Sequence, residues 1–345
     1  MTAGDDLPLV LGNLDCEASW GRRVLPRRVL ARISAAATLL RFLFDEPIAL
    51  WTPAEVAAHR MIALDDHPAP RLQTGASPRA AAAAWGAFSD RPLAPPRDLR
   101  GISVPTTLAV ARQVNDRRFA AALEQQLAVA PAGARTIGSV AELAQHLAQG
   151  GAEDSPTQQW ICKAPLSAAG RDRVLGQGPL AGETERAVAR LLQRGHALVF
   201  EPWLARVADL GVCGVVRPQQ VELRPPHTLL TSERGGFLGI STAPPPLSTA
   251  QRALLTSTVE AVGRALGAAG YLGPFAVDAF LHRRRSGEVA LRPLCEINGR
   301  LSFGWVAAAL AERFGARELG FSAAPPPGAT VLVAAADDDV AAWIR

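Results

Sequence analysis

The sequence predicts a mixed α/β (α+β) fold that is divided into more than one domain. The chain has 345 residues, of which 48% are hydrophobic, and a chain of this length tends to divide into two or three hydrophobic cores. Short apolar runs typical of strands alternate with longer runs typical of helices. Five stretches rich in Pro and Gly interrupt this pattern and mark candidate boundaries: 66–78, 89–105, 150–156, 243–248 and 323–329.

The first segment has the pattern of an α/β domain. A strand-like run at 7–11 ends in Gly12 and Asn13, and helices are predicted at 26–44 and 53–63. A strand followed by helices is the order from which α/β domains are built. Glu17, Trp20 and Arg22 are candidate cleft residues of this segment, although their pattern favours placement on the surface.

The rest of the chain alternates helices and strands and ends in an antiparallel region. Helices are predicted at 106–127, 140–149, 183–193, 249–266 and 305–314. Strands are predicted at 160–164, 197–201, 211–217, 220–223, 228–231, 275–281 and 291–298. The last two strands flank a turn that contains Gly287 and the arginines at 283–285, so we expect them to form an antiparallel pair.

Charge and hydropathy favour a protein that binds neither nucleic acid nor membranes. The net charge is +4, and a nucleic-acid groove would have clustered arginines with aromatic residues between them. The paired arginines of this chain are instead scattered and have no aromatic residues between them. The N-terminus is acidic, unlike a secretory signal, and the apolar stretch at 33–44 is too short to span a bilayer. We therefore expect a cytoplasmic protein.

The four cysteines predict neither a disulfide framework nor a zinc site. Cys16, Cys162, Cys213 and Cys295 are too far apart in sequence to form a CxxC pair, and three of them lie in apolar runs. Buried free thiols are the favoured interpretation.

Lysine is almost absent from the chain. Of the 36 Lys and Arg residues, only Lys163 is a lysine. A lysine that persists where arginine is used everywhere else suggests a position that needs a compact ammonium group rather than a planar guanidinium. Chance survival of one lysine is the alternative.

The last strand pair carries polar residues in an apolar setting. Because side chains two apart on a strand point to the same face, Glu296 and Asn298 share a face that Arg300 can continue. Asp278 is a lone carboxylate in the other strand and can face them. These hard oxygen ligands suit Mg²⁺, with Mn²⁺ as an alternative. From these strands alone, a metal site is no better supported than the alternative, in which Asp278 caps a turn and Glu296 pairs with a nearby arginine.

Two further segments carry features of a nucleotide site. Lys163 follows an apolar strand and begins a loop of small residues at 164–171, whose backbone N–H groups could approach phosphate oxygens. This loop lacks the spacing of a Walker A motif, and a plain turn remains an alternative. Farther on, Glu201, Trp203 and Leu204 lie where a strand runs into a Pro-containing linker that could bind a purine, and Asp209 could accept hydrogen bonds from ribose.

The order of these segments resembles the ATP-grasp superfamily, which includes D-alanine–D-alanine ligase and biotin carboxylase. The sequence at 296–300, Glu-Ile-Asn-Gly-Arg, is similar to the E-x-N-x-R strand end of that family, and 270–278 resembles its preceding metal strand. The similarity covers about 106–314. It implies an N-terminal Rossmann-like domain at 1–105, a small lid subdomain at 106–200 and a larger antiparallel-sheet subdomain at 201–345.

The resemblance also implies a role for each candidate site residue. Asp278, Glu296 and Asn298 would hold Mg²⁺ ions that bridge the phosphates of ATP, and Arg300 would neutralise the transferred phosphoryl group. Lys163 would contact the α- and β-phosphates. The loop at 166–171, which contains Ser167, Gly170 and Arg171, would close over them, and Glu201, Trp203, Leu204 and Asp209 would hold the nucleoside.

The sequence departs from the family where an upstream phosphate-binding lysine is usual. The segment 114–119, Val-Asn-Asp-Arg-Arg-Phe, occupies that region and offers Arg117 or Arg118 instead. Arg171, Arg224 and Arg234 are further candidates for binding a substrate carboxylate.

The function implied by the resemblance is ligation. An ATP-dependent ligase would convert a small-molecule carboxylate into an acyl-phosphate, which an amine would then attack to form an amide or peptide bond. A kinase that phosphorylates a hydroxyl and a non-catalytic nucleotide-binding protein are the alternatives. Family members often dimerise through the N-terminal domain, so a homodimer is also open.

Overall fold

The computed structural model describes residues 7–21, 23–64, 67–90, 106–152, 155, 157–166, 172–194, 197–232, 235–336 and 339–345. The strands of these residues form three sheets. Within this part of the chain, no helix is both long and apolar enough to cross a bilayer.

The N-terminal segment forms a four-stranded parallel sheet in the order β3-β2-β1-β4. The strands are β1 (Leu9–Leu11), β2 (Ala49–Trp51), β3 (Arg71–Gln73) and β4 (Ala83–Ala84), and the helices are α1 (Cys16–Trp20) and α2 (Arg27–Ala37). The predicted helix at 26–44 is α2 continued by a 3-10 turn. The prediction of a helix at 53–63 is wrong. The Thr52 hydroxyl donates to the backbone carbonyl of Ala54, and the backbone N–H of Ala54 donates to the Ser34 hydroxyl, so the chain begins this segment as an irregular loop.

Two helices, α3 (Leu108–Val114) and α4 (Arg117–Gln126), replace the single helix predicted at 106–127. The break falls at Asn115 and Asp116, where the Asp116 side chain accepts a hydrogen bond from the backbone N–H of Arg118 and caps α4. Val114, Ala120 and Leu123 pack into the core of the largest sheet. Both helices therefore brace that sheet.

The next segment folds into a small antiparallel sheet, ordered β5-β8-β6-β7, with two helices against it. Its elements are β5 (Arg135–Ile137), α5 (Val140–Ala148), β6 (Gln159–Lys163), β7 (Arg173–Gln177), α6 (Gly182–Leu192) and β8 (Leu198–Pro202). The buried rings of Trp160 and Phe200 fill its core. Lys163 is the last residue of β6, so its side chain stands at the end of a rigid strand.

The C-terminal segment builds a nine-stranded antiparallel sheet, ordered β14-β13-β9-β11-β12-β15-β17-β16, with β10 paired to β9. Its strands are β9 (Ala205–Arg217), β10 (Gln220–Leu223), β11 (His227–Thr231), β12 (Phe237–Ser241), β13 (Gly273–Arg283), β14 (Val289–Asn298), β15 (Glu318–Ser322), β16 (Thr330–Val333) and β17 (Ala341–Ile344), and its helices are α7 (Thr249–Ala268) and α8 (Phe303–Phe314).

The two faces of this sheet bury different partners. Helix α7 packs on one face with Val277, Leu294 and Ile297. Helix α8 and the N-terminal segment pack on the other face, where Cys213 and Ile240 lie. The face under α8 is the one that carries the polar residues of the predicted metal strands.

The antiparallel pairing predicted for the last strand pair is confirmed, with one irregularity. Asp278 lies opposite Glu296, and Phe280 lies opposite Arg292, so a bulge adds residues on β14. Leu294 and Ile297 both pack into the α7 core, whereas Cys295 between them is partly exposed. The expectation that Cys295 points into the core is therefore wrong, because the bulge interrupts the alternation of faces.

Gly304 shows how closely α8 approaches this sheet. A Cβ atom on Gly304 would lie 2.7 Å from the Cys213 sulfur and 2.7 Å from the ring of His227. Burial lowers the pKa of His227 to about 4, so the ring is neutral at neutral pH and packs as an apolar group. The small residue lets the helix lie directly on the strands.

We expect Gly304→Ala to destabilise the protein by about 1–3 kcal/mol, because the added methyl group overlaps buried atoms that cannot move without shifting a strand. Urea unfolding measures the change in free energy. Gly138→Ala is the matched control, since a Cβ there would meet only one flexible carboxylate at 3.5 Å. Equal stabilities of the two variants would contradict the close packing of α8.

Candidate functional site

The centre of the site is the carboxylate pair at the end of the last two strands. Asp278 on β13 and Glu296 on β14 are directly opposite residues and therefore point to the same side of the sheet. Burial, together with the nearby Glu296 charge, raises the pKa of Asp278 to about 7, although Arg300 partly offsets this. Two carboxylates held this close favour the arrival of a cation.

The donor set fits a hard divalent cation, with one rearrangement. Asp278 and Glu296 offer carboxylate oxygens, which Mg²⁺ prefers. Asn298 turns its amide nitrogen towards Asp278, at 3.3 Å, and its amide oxygen towards Arg300, at 2.8 Å. The amide would have to rotate to place its oxygen beside the carboxylates. Among the described residues, no three His, Cys, Asp or Glu side chains converge, so such a site would depend on this amide as the third ligand.

Asn115 holds the backbone of this strand end. Its amide oxygen accepts a hydrogen bond from the backbone N–H of Gly299 at 2.9 Å, and its amide nitrogen donates to the carbonyl of Ala111 at 2.7 Å. A Cβ atom on Gly299 would lie 2.7 Å from Val114. Gly299 therefore lets α3 pack against the strand end and fixes the position of Asn298 and Arg300 on either side.

Arg117 joins the carboxylate pair to the small sheet. Its guanidinium donates to Glu296 at 2.9 Å and to the backbone carbonyl of Ala164 at 3.0 Å, just after Lys163. The backbone N–H of Arg117 also donates to the carbonyl of Pro165. Arg118 instead pairs with Asp116 on the surface. Arg117 is thus the arginine of this segment that reaches the site.

Lys163 belongs to a buried ionic network with three other members, one arginine and two glutamates. Its ammonium donates to the Oε2 atom of Glu201 at 2.8 Å, and the same oxygen accepts from Arg292 at 2.8 Å. Arg292 also makes two hydrogen bonds to Glu124 on α4, at 2.8 and 2.9 Å. Burial alone would raise the pKa of Glu201, but Arg292 and Lys163 outweigh it and hold that pKa well below its usual value.

The predicted nucleoside residues lie along the connection from the small sheet to the large one. The backbone N–H of Trp203 donates to the carbonyl of Gln159, and Leu204 is buried. Asp209 is buried on β9, where it accepts hydrogen bonds from Arg206 at 2.5 Å and Thr231 at 2.9 Å. Both carboxylate oxygens of Asp209 therefore already have donors.

Arg300 is held by the N-terminal segment. Its guanidinium donates to Glu17 of α1 at 2.9 Å and lies over the ring of Trp85 at 5.7 Å. Glu17 and Trp20 are both well covered, so the expectation that they lie on the surface is wrong. The physical reason is that α1 follows β1 directly and packs towards the end of β14.

Several predicted residues are not brought into the site. Arg224 pairs with Glu312 and lies over Trp305, on the α8 side of the sheet. Five others lie outside the described residues: Arg22, Ser167, Gly170, Arg171 and Arg234. Their roles stay predictions.

The fold matches solved structures along almost its whole length. An N5-carboxyaminoimidazole ribonucleotide synthetase of Thermus thermophilus is 14% identical, with 97% of this chain and 92% of that chain covered and a TM-score of 0.53. An N5-carboxyaminoimidazole synthase of Aspergillus clavatus, in complex with ADP and 5-aminoimidazole ribonucleotide, is 13% identical, with 98% and 93% covered and a TM-score of 0.51. A phosphoribosylamine–glycine ligase of Thermotoga maritima is 14% identical, with 98% and 89% covered and a TM-score of 0.50.

The chain has the ATP-grasp fold. This agrees with the order of its three sheets and with the resemblance of its strand-end residues. Identity of 13–14% shows the fold alone. No protein-family model and no curated protein matches the sequence.

Within this ATP-grasp fold, sequence reasoning missed two groups of residues that shape the site. Arg292 is a lone charged residue in the apolar run at 290–294, the same signal that pointed to Asp278, and it could have been found that way. Asn115 and Glu124 lie in ordinary helical sequence, so only the packing of α3 and α4 against the strand ends identifies them. Glu17 is a candidate cleft residue from the sequence, but its contact with Arg300 follows only from the packing of α1.

We expect Arg292→Met to destabilise the protein by about 3–5 kcal/mol, because it leaves the buried carboxylates of Glu124 and Glu201 without their shared partner. Urea unfolding measures this loss. Arg264→Met is the matched control, because Arg264 is well exposed and lies 4.0 Å from Glu260, and exposed pairs contribute at most about 1 kcal/mol. A loss from Arg292→Met no larger than that of the control would show that the network does not stabilise the fold.

Proposed function

We propose that this chain is a Mg-ATP-dependent ligase that activates a small-molecule carboxylate as an acyl-phosphate and joins it to an amine. The observation that carries the proposal is the pairing of Asp278 with Glu296 at the end of β14, followed on the same strand end by Arg300. The ATP-grasp fold supports it, as do the three similar structures, which are a synthetase, a synthase and a ligase.

The charges around the strand end suit phosphoryl transfer. Asp278 and Glu296, with Asn298 after rotation of its amide, would hold Mg²⁺, which when bound would neutralise charge on phosphate oxygens. Two cations lie nearby: Lys163 ends strand β6, and Arg117, which bonds to Glu296, begins helix α4. The Lys163 ammonium has three N–H donors, of which its bond to Glu201 engages one. The cleft thus places cationic side chains beside a carboxylate pair.

Arg300 is positioned for the transferred group. Three contacts fix its guanidinium, from Glu17, from the carbonyl of Leu301 and from Asn298. A rigid guanidinium favours the charge that develops on a phosphoryl group as it passes to a carboxylate oxygen, since no reorganisation is needed at that moment. The carboxylate then carries phosphate as its leaving group, and an amine can displace it. No side-chain nucleophile is required.

A trapping assay tests the proposal without knowledge of the amine. Hydroxylamine attacks an acyl-phosphate at its carbonyl carbon, which forms a hydroxamate and releases phosphate. The protein should form ADP and hydroxamate in equal amounts when Mg-ATP, hydroxylamine and the correct carboxylic acid are present, over a panel of amino acids and other acids. ADP with a stable phosphorylated product and no hydroxamate would identify a kinase. Failure of Mg-ATP to raise the Tm would reject nucleotide binding.

We expect Glu296→Ala and Asn298→Ala each to lower ATP turnover by more than about 100-fold, because even outer partners of a metal site typically contribute 10- to 100-fold. ADP release measures turnover, and circular dichroism checks that the variants fold. Glu288→Ala is the control, since Glu288 lies exposed in the turn of the same strand pair. Turnover near that of the wild type in either site variant would reject the site assignment.

We expect Glu17→Gln to lower kcat by about 10-fold or more while the affinity for Mg-ATP stays unchanged. Glu17 hydrogen-bonds to Arg300, whereas it acts on Arg117 only through its charge, and charge-assisted hydrogen bonds are about twice as strong as neutral ones. ADP release gives kcat, and the Mg-ATP-dependent rise in Tm reports nucleotide affinity. Glu55→Gln, at an exposed position of the same segment, serves as the control. A parallel loss of nucleotide affinity would mean that Glu17 acts on the fold rather than on Arg300.

A further inference from the structure

Three phenylalanines form an aromatic surface, here called the aromatic platform, on the large sheet. Phe237 begins β12, Phe303 begins α8 and Phe321 lies on β15. The ring of Phe303 lies 6.0 Å from that of Phe237, nearly parallel to it, and 5.1 Å from that of Phe321, while Phe237 and Phe321 are 5.7 Å apart. Every ring of the platform therefore touches the other two, so they act as one apolar surface.

The platform lies on the same face of the sheet as the site. Asp209 pairs with Leu229 of β11, and Leu229 pairs with Ile240 of β12. Residues that pair across strands share a face, and both apolar residues pack into the core under α8. Phe237 follows a bulge in the β11–β12 pairing, but its ring stacks on Phe303 of α8, so it lies on that face as well.

The other end of the platform reaches Arg300. The ring of Trp85 lies 5.1 Å from that of Phe303, and the Arg300 guanidinium lies 5.7 Å from the Trp85 ring. The backbone carbonyl of Trp85 also accepts a hydrogen bond from the N–H of Leu301. The apolar surface thus begins beside the residue assigned to the transferred phosphoryl group.

The platform is only partly covered by the protein. Phe237 is 43% exposed and its neighbour Leu238 is 45% exposed, whereas Trp85 beneath Arg300 is buried. Leaving an aromatic ring in water forfeits the free energy of burying it, and exposed apolar groups at the rim of a polar site often mark where a ligand binds. Ring contacts through Phe303 and Trp85 link the exposed ring of Phe237 to Arg300.

We propose that the aromatic platform binds a bulky apolar group, aromatic or branched, carried by the substrate whose carboxylate is activated beside Arg300. This inference rests on the proposed ligase function and names its substrate class. A carboxylate at Arg300 and an apolar group over Phe303 and Phe237 describe a hydrophobic α-amino acid or a related arylalkanoate. Such a group would bury the exposed ring of Phe237 when the substrate binds.

The hydroxylamine assay tests the substrate class directly. With Mg-ATP and the wild-type chain, phenylalanine and leucine should form hydroxamate with a kcat/KM about 10- to 100-fold above that of alanine and glycine, which is the range that apolar pockets usually achieve. Phe237→Ala should remove most of this preference, by lowering kcat/KM for phenylalanine and leucine towards the values for alanine and glycine. Phe237→Leu keeps an apolar surface and should retain part of the preference.

Leu254→Ala is the matched control, because Leu254 is 41% exposed on α7, on the opposite face of the sheet. The Mg-ATP-dependent rise in Tm of each variant shows that it is folded and binds nucleotide. Hydroxamate formation that favours alanine or glycine over the larger acids would overturn the inference, as would full preference in Phe237→Ala. If no acid forms hydroxamate while Mg-ATP still binds, the proposed ligase function fails instead.

Discussion

The site depends on one buried guanidinium. Arg292 has almost no exposed side chain and lies between Glu124 and Glu201, which are equally buried. A buried charge is costly unless all of its hydrogen bonds are made. The Arg292 guanidinium bonds to Glu124 of helix α4, to Glu201 of strand β8 and to the backbone carbonyl of Leu294 on its own strand. Because each partner belongs to a different element, the ionic network fixes how the small sheet meets the large one and therefore the width of the cleft.

The N-terminal segment completes the site from a third direction. Glu17 of α1 and Trp85 after β4 both contact Arg300, while Asn115 of α3 holds the glycine that precedes it. The strand end that carries the carboxylates is thus surrounded by residues distant in sequence. Displacement of α1 would release Arg300 from Glu17, which couples the packing of the N-terminal sheet to the position of the Arg300 guanidinium.

Sequence predicted the parts of this arrangement that follow from local pattern. Asp278, Glu296 and Lys163 interrupt apolar strands, and a charge in an apolar strand is conspicuous whatever surrounds it. The pairing of β13 with β14 followed from a polar turn of suitable length. The bulge at Cys295, the break between α3 and α4, and strands β15 to β17 were not foreseen, because they depend on contacts between segments and on a Pro-rich region that carries little periodicity. The burial of Glu17 was missed for the same reason, since nothing local distinguishes it from a solvated helix residue.

The network also explains why a chain so rich in arginine has a lysine at position 163. Arg292 and Lys163 donate to the same oxygen of Glu201, each at 2.8 Å. A guanidinium binds a carboxylate best through two parallel hydrogen bonds, so a second arginine would compete with Arg292 for Glu201. An ammonium binds that oxygen through a single N–H group and keeps its two other N–H groups for another anion. Lysine therefore satisfies the buried glutamate and retains two further N–H groups, which suits the phosphate-binding role proposed for Lys163.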